Sequence, residues 1–243
     1  MQKLDILAFG AHPDDVELGC AGAILAAVAE GKKVWIIDLT KGELGTRGTV
    51  EIRLNEAQEA SKVLGVTVRE NLGMADGFFK NDQENQLAIV ECIRRFQPSI
   101  VLCNAPVDRH PDHGRAASLV SDACFLAGLS KIKTTHNGVE QNAWRPANVF
   151  HYIQSRNLTP SFVVDISAHM DKKMASILAH ASQFYDPNSK EPSTFISGNS
   201  FLEFVKGRAK ELGQQIGVDY AEGFISNKII GVKNFDGIIQ NKT

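Results

Sequence analysis

The chain alternates short apolar runs with longer amphipathic stretches. Residues 4–9, 34–39 and 100–103 are nearly continuous apolar runs, which is typical of parallel strands covered on both faces. Apolar residues recur at helical spacing in residues 16–30 and 84–96, which indicates helices between and after these strands. The alternation predicts an α/β fold: a Rossmann-like, mostly parallel sheet with helices on both faces.

The same criteria predict the remaining elements. Helices are expected at residues 49–64, 114–128, 170–181 and 201–216, and strands at residues 66–68, 149–153 and 162–166. Irregular structure is expected at residues 72–79, where Asp76 could border substrate but is interpreted as a turn residue. It is also expected at residues 129–147 as an excursion over the cleft, at 185–200 as a mobile flap or oligomer contact, and at 220–224 as an ordered turn. No internal repeat or linker interrupts the chain, so residues 1–243 are predicted to form a single domain.

A polar loop follows the first predicted strand, with the sequence Ala11-His12-Pro13-Asp14-Asp15. It lies at the carboxyl end of a strand, where α/β proteins bind ligands. An imidazole and two carboxylates suit Zn²⁺ or another divalent first-row ion. Because Pro-Asp-Asp is also a common turn and helix N-cap sequence, this loop alone leaves both interpretations open.

A second cluster, Asp108-Arg109-His110-Pro111-Asp112-His113, follows the predicted strand at residues 100–103. In the common strand order 3-2-1-4-5, strands 1 and 4 are neighbours and their loops diverge at the topological switch point. We therefore predict a metal site at the carboxyl ends of strands 1 and 4. Its ligands are His12, Asp15 and His113, which leave one coordination position open for water or substrate.

Composition narrows the classes of partner. The 243 residues are 43% hydrophobic and 22% charged, as expected of a globular domain with a sizeable core. A formal net charge of −2 with dispersed Lys and Arg gives no basic patch, so we expect a small-molecule substrate and no nucleic-acid partner. Without a signal-peptide pattern or a long apolar segment, we expect no membrane partner and a cytoplasmic protein. The four cysteines form no Cys-x-x-Cys pair and are expected to be reduced core residues.

At its two polar clusters the chain resembles the LmbE/PIG-L-like family of zinc-dependent N-acetylglucosaminide deacetylases. The family's first motif is similar to residues 11–17 and its second to residues 110–113, in the expected order and at comparable spacing. Similarity to the branch that deacetylates N-acetylglucosaminyl malate in bacillithiol biosynthesis rests on residues 49–53, 182–184 and 220–224. The chain has Ala21-Gly22 where many relatives have Gly-Gly.

The resemblance implies a hydrolase that removes the acetyl group from an N-acetylglucosaminide with Zn²⁺ or, in the cell, Fe²⁺ or another divalent ion. It also implies three catalytic roles. Asp14 would be the general base, His110 an imidazolium that stabilises the oxyanion or protonates the departing amine, and Asp112 the residue that orients His110. A homo-oligomer, hexamer or trimer, is implied too. A different N-acetyl sugar, or a thiol conjugate cleaved by an amidase, is the alternative substrate.

Two arginines are candidates for binding the malate part of such a substrate. Arg109 directly precedes His110, and Arg53 is expected in the first turns of the helix after the Gly-rich loop at residues 40–48. A guanidinium binds a carboxylate bidentately, which lysine cannot do. The alternatives are that Arg109 pairs with Asp108 and that Arg53 is a solvated helix residue.

Two rival classes are disfavoured. A nucleotide-binding oxidoreductase or methyltransferase would have Gly-x-Gly-x-x-Gly in its first turn, whereas residues 9–14 lack it. Two carboxylates at that helix start would also repel a pyrophosphate. A metal-dependent sugar-binding or regulatory protein that has lost activity would need neither Asp14 nor His110 beside the metal ligands.

Overall fold

The computed structural model describes residues 3–232 and residue 234. Within them, the strands are β1 (Ile6–Gly10), β2 (Val34–Thr40), β3 (Arg69–Met74), β4 (Ile100–Asn104), β5 (Thr135–His136), β6 (Val139–Glu140), β7 (Asn148–Tyr152), β8 (Phe162–Asp165) and β9 (Ala221–Ser226). The helices are α1 (Asp15–Ala29), α2 (Val50–Leu64), α3 (Gln83–Phe96), α4 (Pro111–Ala127), α5 (Met170–Leu178) and α6 (Asn199–Gln215). None of these helices is both long and apolar enough to cross a membrane.

The central sheet of the described residues has the strand order β3-β2-β1-β4-β7-β9-β8. The first five strands in this order are parallel, and β9 runs antiparallel to both β7 and β8. Strand β1 lies between β2 and β4, so the loops that follow β1 and β4 leave the sheet at the same edge. The predicted α/β fold and the predicted neighbours of strand 1 are confirmed.

Helices cover both faces of the sheet because alternate residues of each strand point to opposite faces. Leu7 and Phe9 of β1 pack in a core shared with α3 and α4, whereas Ala8 packs beneath α1. A third cluster, built around Ile166 and Phe184, joins α5 and α6 to this layer. All four cysteines are buried and free, which agrees with their prediction as reduced core residues.

Strand β3 is displaced from its predicted position. The strand predicted at residues 66–68 instead spans Arg69–Met74, so part of the predicted irregular stretch is in the sheet. The reason is that Arg69 is buried inside the strand by its ion pair with Asp38 of β2, at 2.7 Å between Nε and Oδ2. A charged residue at a buried strand position interrupts the run of apolar residues by which a strand is predicted from sequence.

Strand β9 was missed for the same reason. Residues 220–224 were predicted to form a turn, but most of them pair with β7 and β8. Glu222 is buried in this strand beside Lys173, with 2.7 Å between the carboxylate and the ammonium group. The prediction is therefore wrong.

The stretch 129–147 does not cover the cleft. Trp144 donates from Nε1 to the carbonyl oxygen of Pro98 at 2.8 Å, just before β4 begins. Arg94 of α3 donates to the carbonyl oxygens of Leu129 and Ile132 at 2.9 and 2.8 Å. These hydrogen bonds hold the stretch near the amino ends of the strands, so the prediction of an excursion over the cleft is wrong.

Candidate metal centre

The loop after β1 makes a tight turn into α1. Asp14 has φ 153° and ψ −19°, a conformation that L-residues rarely adopt, and such strain is concentrated at functional sites. A main-chain hydrogen bond from Asp15 N to His12 O closes the turn at 3.3 Å. Because His12, Asp14 and Asp15 are all buried, neighbouring protein groups rather than solvent fix their side chains.

The loop after β4 begins α4 beside this turn. His110 is the N-cap residue, and its Nδ1 accepts a hydrogen bond from Asp112 N at 3.3 Å. Pro111 occupies the first helical turn, a position that tolerates its missing N–H. His113 therefore lies in the first turn of α4, where it is buried.

The carboxylate of Asp15 joins the two loops. Its Oδ1 lies 3.1 Å from His113 Nε2, and its Oδ2 lies 3.5 Å from His12 Nδ1. Two amides hold it in place, because Asn104 donates to Oδ2 at 3.0 Å and Gln154 donates to Oδ1 at 2.6 Å. The structure thus brings together the three residues predicted as metal ligands.

A further carboxylate contacts the other ring nitrogen of each imidazole. His113 Nδ1 lies 2.6 Å from Asp108 Oδ2, and His12 Nε2 lies 2.9 Å from Asp76 Oδ1. A metal-binding histidine usually donates its second ring N–H to a carboxylate or carbonyl, which fixes the tautomer and turns the remaining lone pair toward the ion. Both histidines have this arrangement, with the free nitrogen facing Asp15.

These carboxylates also favour positive charge at the imidazoles. Burial lowers the pKa of His113, but Asp15 and the hydrogen bond to Asp108 outweigh it and raise the pKa to about 9. Burial is likewise outweighed at His12, whose pKa is raised by hydrogen bonds to surrounding carboxylates. Burial would raise the pKa of Asp15, yet the two histidines hold it well below its usual value. The centre thus attracts cationic charge, which a divalent ion can supply in place of protons.

The donors of this centre fit a divalent ion in two further groupings. Among the described residues, ligand atoms of His12, His110 and His113 lie within 4.8 Å of one another, as do those of His12, Asp76 and Asp112. Imidazole nitrogens and carboxylate oxygens are typical ligands of zinc and other first-row ions. Both groupings contain His12, so both place the ion beside the β1–α1 loop.

Asp14 is buried next to the ligand candidates and faces Arg53 of α2. The distance from Arg53 Nη2 to Asp14 Oδ2 is 3.6 Å, and Arg53 Nη1 donates to Gly42 O at 2.9 Å. Burial raises the pKa of Asp14, and the charge of Arg53 partly opposes that rise. Arg53 is only 5% exposed, so it contacts the base candidate and is not a solvated helix residue.

The surroundings of His110 act on its pKa. Burial and the charges of His12 and His113 lower this pKa, which disfavours the imidazolium form. Among the described contacts, the Asp112 carboxylate accepts from Gly77 N at 2.8 Å and lies 3.4 Å from His12 Nε2. The contact between Asp112 and His110 is thus the backbone hydrogen bond that caps the helix, while the Asp112 carboxylate points toward the β3–α3 loop.

A cavity of about 220 Å³ opens over these residues. Arg109 lies at its rim with its guanidinium carbon 4.4 Å from the centre of the Phe195 ring. The contact of Arg109 with Asp108 is made by the backbone N–H, at 2.8 Å, so it leaves the guanidinium free of that carboxylate. Ile196 also lines the cavity, so the segment at residues 185–200 borders the site.

Asp76 is a site residue whose contact with His12 the sequence did not predict. It was interpreted as a turn residue, but it lies two residues after β3, at the same sheet edge as the two polar clusters. Its Oδ2 accepts from Leu44 N at 3.0 Å while Oδ1 faces His12. Burial opposes ionisation, but His12 and this backbone hydrogen bond lower the pKa of Asp76 to about 2. Correct placement of β3 would have revealed it.

Known proteins resemble the chain across this whole region. Residues 7–124 match the family model described as PIG-L, GlcNAc-PI de-N-acetylase. A diacetylchitobiose deacetylase of Thermococcus kodakarensis is 31% identical over 191 residues, which cover 74% of this chain and 70% of that protein. A Bacillus anthracis protein named as a probable N-acetyl-α-D-glucosaminyl L-malate deacetylase is 28% identical over 187 residues, with 71% and 78% covered.

The fold has a close match among solved structures. A conserved protein from Thermus thermophilus superposes with a TM-score of 0.84 at 39% identity, and the match covers 94% of this chain and 97% of that one. The residues that match the family model, 7–124, include the β1–α1 and β4–α4 loops and Asp76. The sequence and structure relatives together show that the chain belongs to the PIG-L (LmbE-like) deacetylase family.

Proposed function

We propose that the protein is a metal-dependent hydrolase that removes the acetyl group from an N-acetylglucosaminide, with one divalent ion held by His12, Asp15 and His113. The observation that carries this proposal is the paired arrangement of the histidines. Each has a carboxylate on one ring nitrogen and Asp15 on the other. We favour this ligand set over His12, Asp76 and Asp112, because Asp15 contacts the imidazoles of both His12 and His113, whereas the ion pairs of Asp76 and Asp112 with histidine involve His12 alone among the described residues.

The reaction requires a base, and Asp14 is the residue that we assign to it. A bound ion supplies Lewis acidity toward water and the acetyl carbonyl. Burial raises the pKa of Asp14, which makes its carboxylate a better proton acceptor near neutral pH. Arg53 lies against Asp14 and limits its mobility, so Asp14 keeps its position as it takes a proton from water.

His110 is suited to the carbonyl side of the reaction. Its Nδ1 accepts from the helix backbone, so in the neutral ring the proton is on Nε2. That N–H can donate to the oxygen that gains negative charge when the amide is attacked. Asp14, once protonated, is then the group available to return a proton to the departing amine. Asp112 supports the centre through His12 rather than through His110.

We further propose that the substrate is N-acetylglucosaminyl malate, as for the B. anthracis relative by name. The support in this chain is Arg109, which lies at the cavity rim and has no ion pair among the described residues. Charge-assisted hydrogen bonds contribute roughly 1.5–3 kcal/mol each. Arg109 would therefore add specificity for an aglycone that carries carboxylates. A different N-acetyl sugar, such as a chitobiose, is the alternative.

A panel of N-acetylglucosaminides tests both the proposed reaction and the proposed substrate. Purified protein is incubated with the malate glycoside, a methyl glycoside and diacetylchitobiose, and free amine is measured with and without added Zn²⁺. We expect metal-dependent release with the malate glycoside preferred. Failure of every substrate would contradict the hydrolase proposal, whereas preference for chitobiose would contradict only the malate assignment.

Arg109→Ala gives the sharper specificity test. We expect kcat/KM for the malate glycoside to fall about ten- to a hundred-fold and that for the methyl glycoside to change little. Arg156→Ala, at an exposed arginine in a neighbouring loop, is the control. Arg53→Ala cannot serve this purpose, because its contact with Asp14 predicts a loss on both substrates.

A further inference from the structure

Helix α1 is broken one turn after Asp15. Cys20 has φ −147° and ψ 17°, which is not helical, so the regular i to i−4 hydrogen bonds are interrupted there. Such a break leaves carbonyl groups of the preceding turn and N–H groups of the following turn without helical partners. The break is buried on all sides, so these groups need partners from elsewhere in the protein.

A buried ion pair from two distant elements supplies those partners. Lys173 of α5 donates from Nζ to the carbonyl oxygens of residues 17 and 18 at 3.0 and 2.9 Å. Glu222 of β9 accepts from the N–H groups of residues 22 and 23 at 3.0 and 2.8 Å. The two side chains are 2.7 Å apart and only 2% and 5% exposed as whole residues. We call Lys173 and Glu222 the break pair.

The charges of the break pair match the two helix ends that they meet. The turn that begins at Asp15 ends at the break with a partial negative charge, and the cation of Lys173 lies there. The second part of α1 starts with a partial positive charge, and the carboxylate of Glu222 lies there. Each interaction is favourable for a helix dipole, so the pair holds the break open as a stable structure.

Two glycines of α1 flank the break. Gly19 lies so close to the ring of Tyr152 that an added Cβ would be 2.1 Å from it, and a Cβ on Gly22 would be 2.6 Å from Ile166. Because these two positions have no side chain, the helix can lie close to its neighbours there. For the same reason, neither glycine can fix the direction of the helix by a side-chain contact. We propose that Lys173 and Glu222 are positioning residues that set the direction of the first turn of α1, and thereby place Asp14 and Asp15. This rests on the proposed function.

Removal of both charges tests the proposal, because a buried ion pair can often be replaced by apolar residues without loss of stability. In the double variant Lys173→Met/Glu222→Leu, the freed backbone groups can pair with one another if α1 straightens into a regular helix. Straightening would turn the first helical turn away from His113. The matched control is Lys206→Met/Glu203→Leu, which makes the same changes in an exposed ion pair of α6.

Three measurements are made on the full chain: the dissociation constant for Zn²⁺ by competition with a chromophoric chelator, the visible spectrum with Co²⁺ bound, and the thermal midpoint without metal. We expect the double variant to bind Zn²⁺ about 10–100-fold more weakly, as for loss of other groups that orient ligands. Its Co²⁺ spectrum should shift, because that spectrum reports ligand geometry. The control should match the wild type in its Zn²⁺ dissociation constant and in its Co²⁺ spectrum.

A folded double variant with wild-type Zn²⁺ affinity and Co²⁺ spectrum would overturn the proposal, since the pair would then be only a stabilising feature. If the double variant does not fold, Glu222→Gln keeps the side-chain shape and one acceptor oxygen, and the same two metal measurements decide. These readouts do not require deacetylation. A wild type that binds Zn²⁺ but releases no acetate contradicts the proposed reaction alone, and a wild type that binds no Zn²⁺ overturns both.

Discussion

Two buried polar clusters lie within two residues of each other on α1, and they differ in kind. The first is the metal centre around Asp15. The second surrounds Arg69, whose guanidinium donates to Asp38 at 2.7 and 2.9 Å and to Glu17 at 2.6 Å. Its remaining donors reach Ala57 O and the second oxygen of Glu17. Every N–H of this arginine has an acceptor, so its guanidinium has no donor left for a ligand.

In the metal centre, imidazoles rather than a guanidinium lie between the carboxylates. Its side chains include the carboxylates of Asp14, Asp15, Asp76, Asp108 and Asp112. They face two imidazoles that carry a full charge only when protonated, together with the guanidinium groups of Arg53 and Arg115. Buried carboxylates in excess of nearby cations are costly unless another positive charge is supplied. The comparison teaches that burial and charge alone do not mark a functional site, whereas imidazole and carboxylate ligand atoms that converge on one point do.

The largest expected effect is loss of the ion. Removing metal with a chelator, or the substitution His113→Ala, should abolish deacetylation, because the centre then lacks its Lewis acid. Elemental analysis should find one Zn²⁺ or equivalent per wild-type chain and less than stoichiometric metal in the variant. His136→Ala, in the β5–β6 hairpin, is the control. Full activity in chelator-treated protein would show that both clusters are structural.

Asp14→Asn should keep the metal but reduce kcat. Removal of a positioned base costs ~10²–10⁴-fold, and Asp14 is not among the proposed ligands. Steady-state kinetics with matched metal content measure the effect. Asp82→Asn serves as the control, because Asn is also a good N-cap residue at the start of α3. Normal turnover by Asp14→Asn would remove Asp14 from the catalytic roles.

Arg69→Met should affect folding rather than chemistry. It leaves Glu17 and Asp38 buried without their cation, and breaking a buried ion pair costs about 3–5 kcal/mol. Denaturant unfolding measures this loss, and metal content should be unchanged in the protein that remains folded. In contrast, Arg95→Met breaks a more exposed pair with Glu70 and should cost at most about 1 kcal/mol. Equal losses of stability in the two variants would contradict the distinction between a buried arginine with all its N–H groups bonded and a more exposed ion pair.

Asp76→Ala should have the smallest effect of this set. Asp76 touches the proposed ion only through His12, and loss of such an orienting carboxylate typically costs 10–100-fold in metal affinity or activity. The Zn²⁺ dissociation constant measures it, with Asp122→Ala on exposed α4 surface as the control. Complete loss of metal would instead indicate that Asp76 is a direct ligand, as in the grouping with His12 and Asp112.

The sequence predicted the parts of the fold that depend on apolar burial alone. Strands β1, β2 and β4 were found because both of their faces are covered by helices. Strands β3 and β9 were misplaced because Arg69 and Glu222 are buried in them by ion pairs with residues distant in sequence. Hydrophobic patterns contain no information about such partners.

The same limit applied to the site. His12, Asp15 and His113 could be predicted because they lie in loops next to well-marked strands. Asp76 could not, since its position at the sheet edge depends on the true course of β3. The contact of Asp112 with His12 was also beyond prediction, because it depends on how the first turn of α4 faces the neighbouring loops.

The buried cysteines offer a way to follow opening of the native chain. Burial raises the pKa of Cys92 and Cys124 to about 12 and those of Cys20 and Cys103 well above the usual thiol value. Only the thiolate reacts readily with disulfide reagents, so labelling of the folded protein should wait for segments to unfold. Cys20 lies in the break of α1 and Cys92 in α3. Mass spectrometry of each labelled peptide would therefore time the opening of the helix beside the metal centre separately from that of the opposite helical layer.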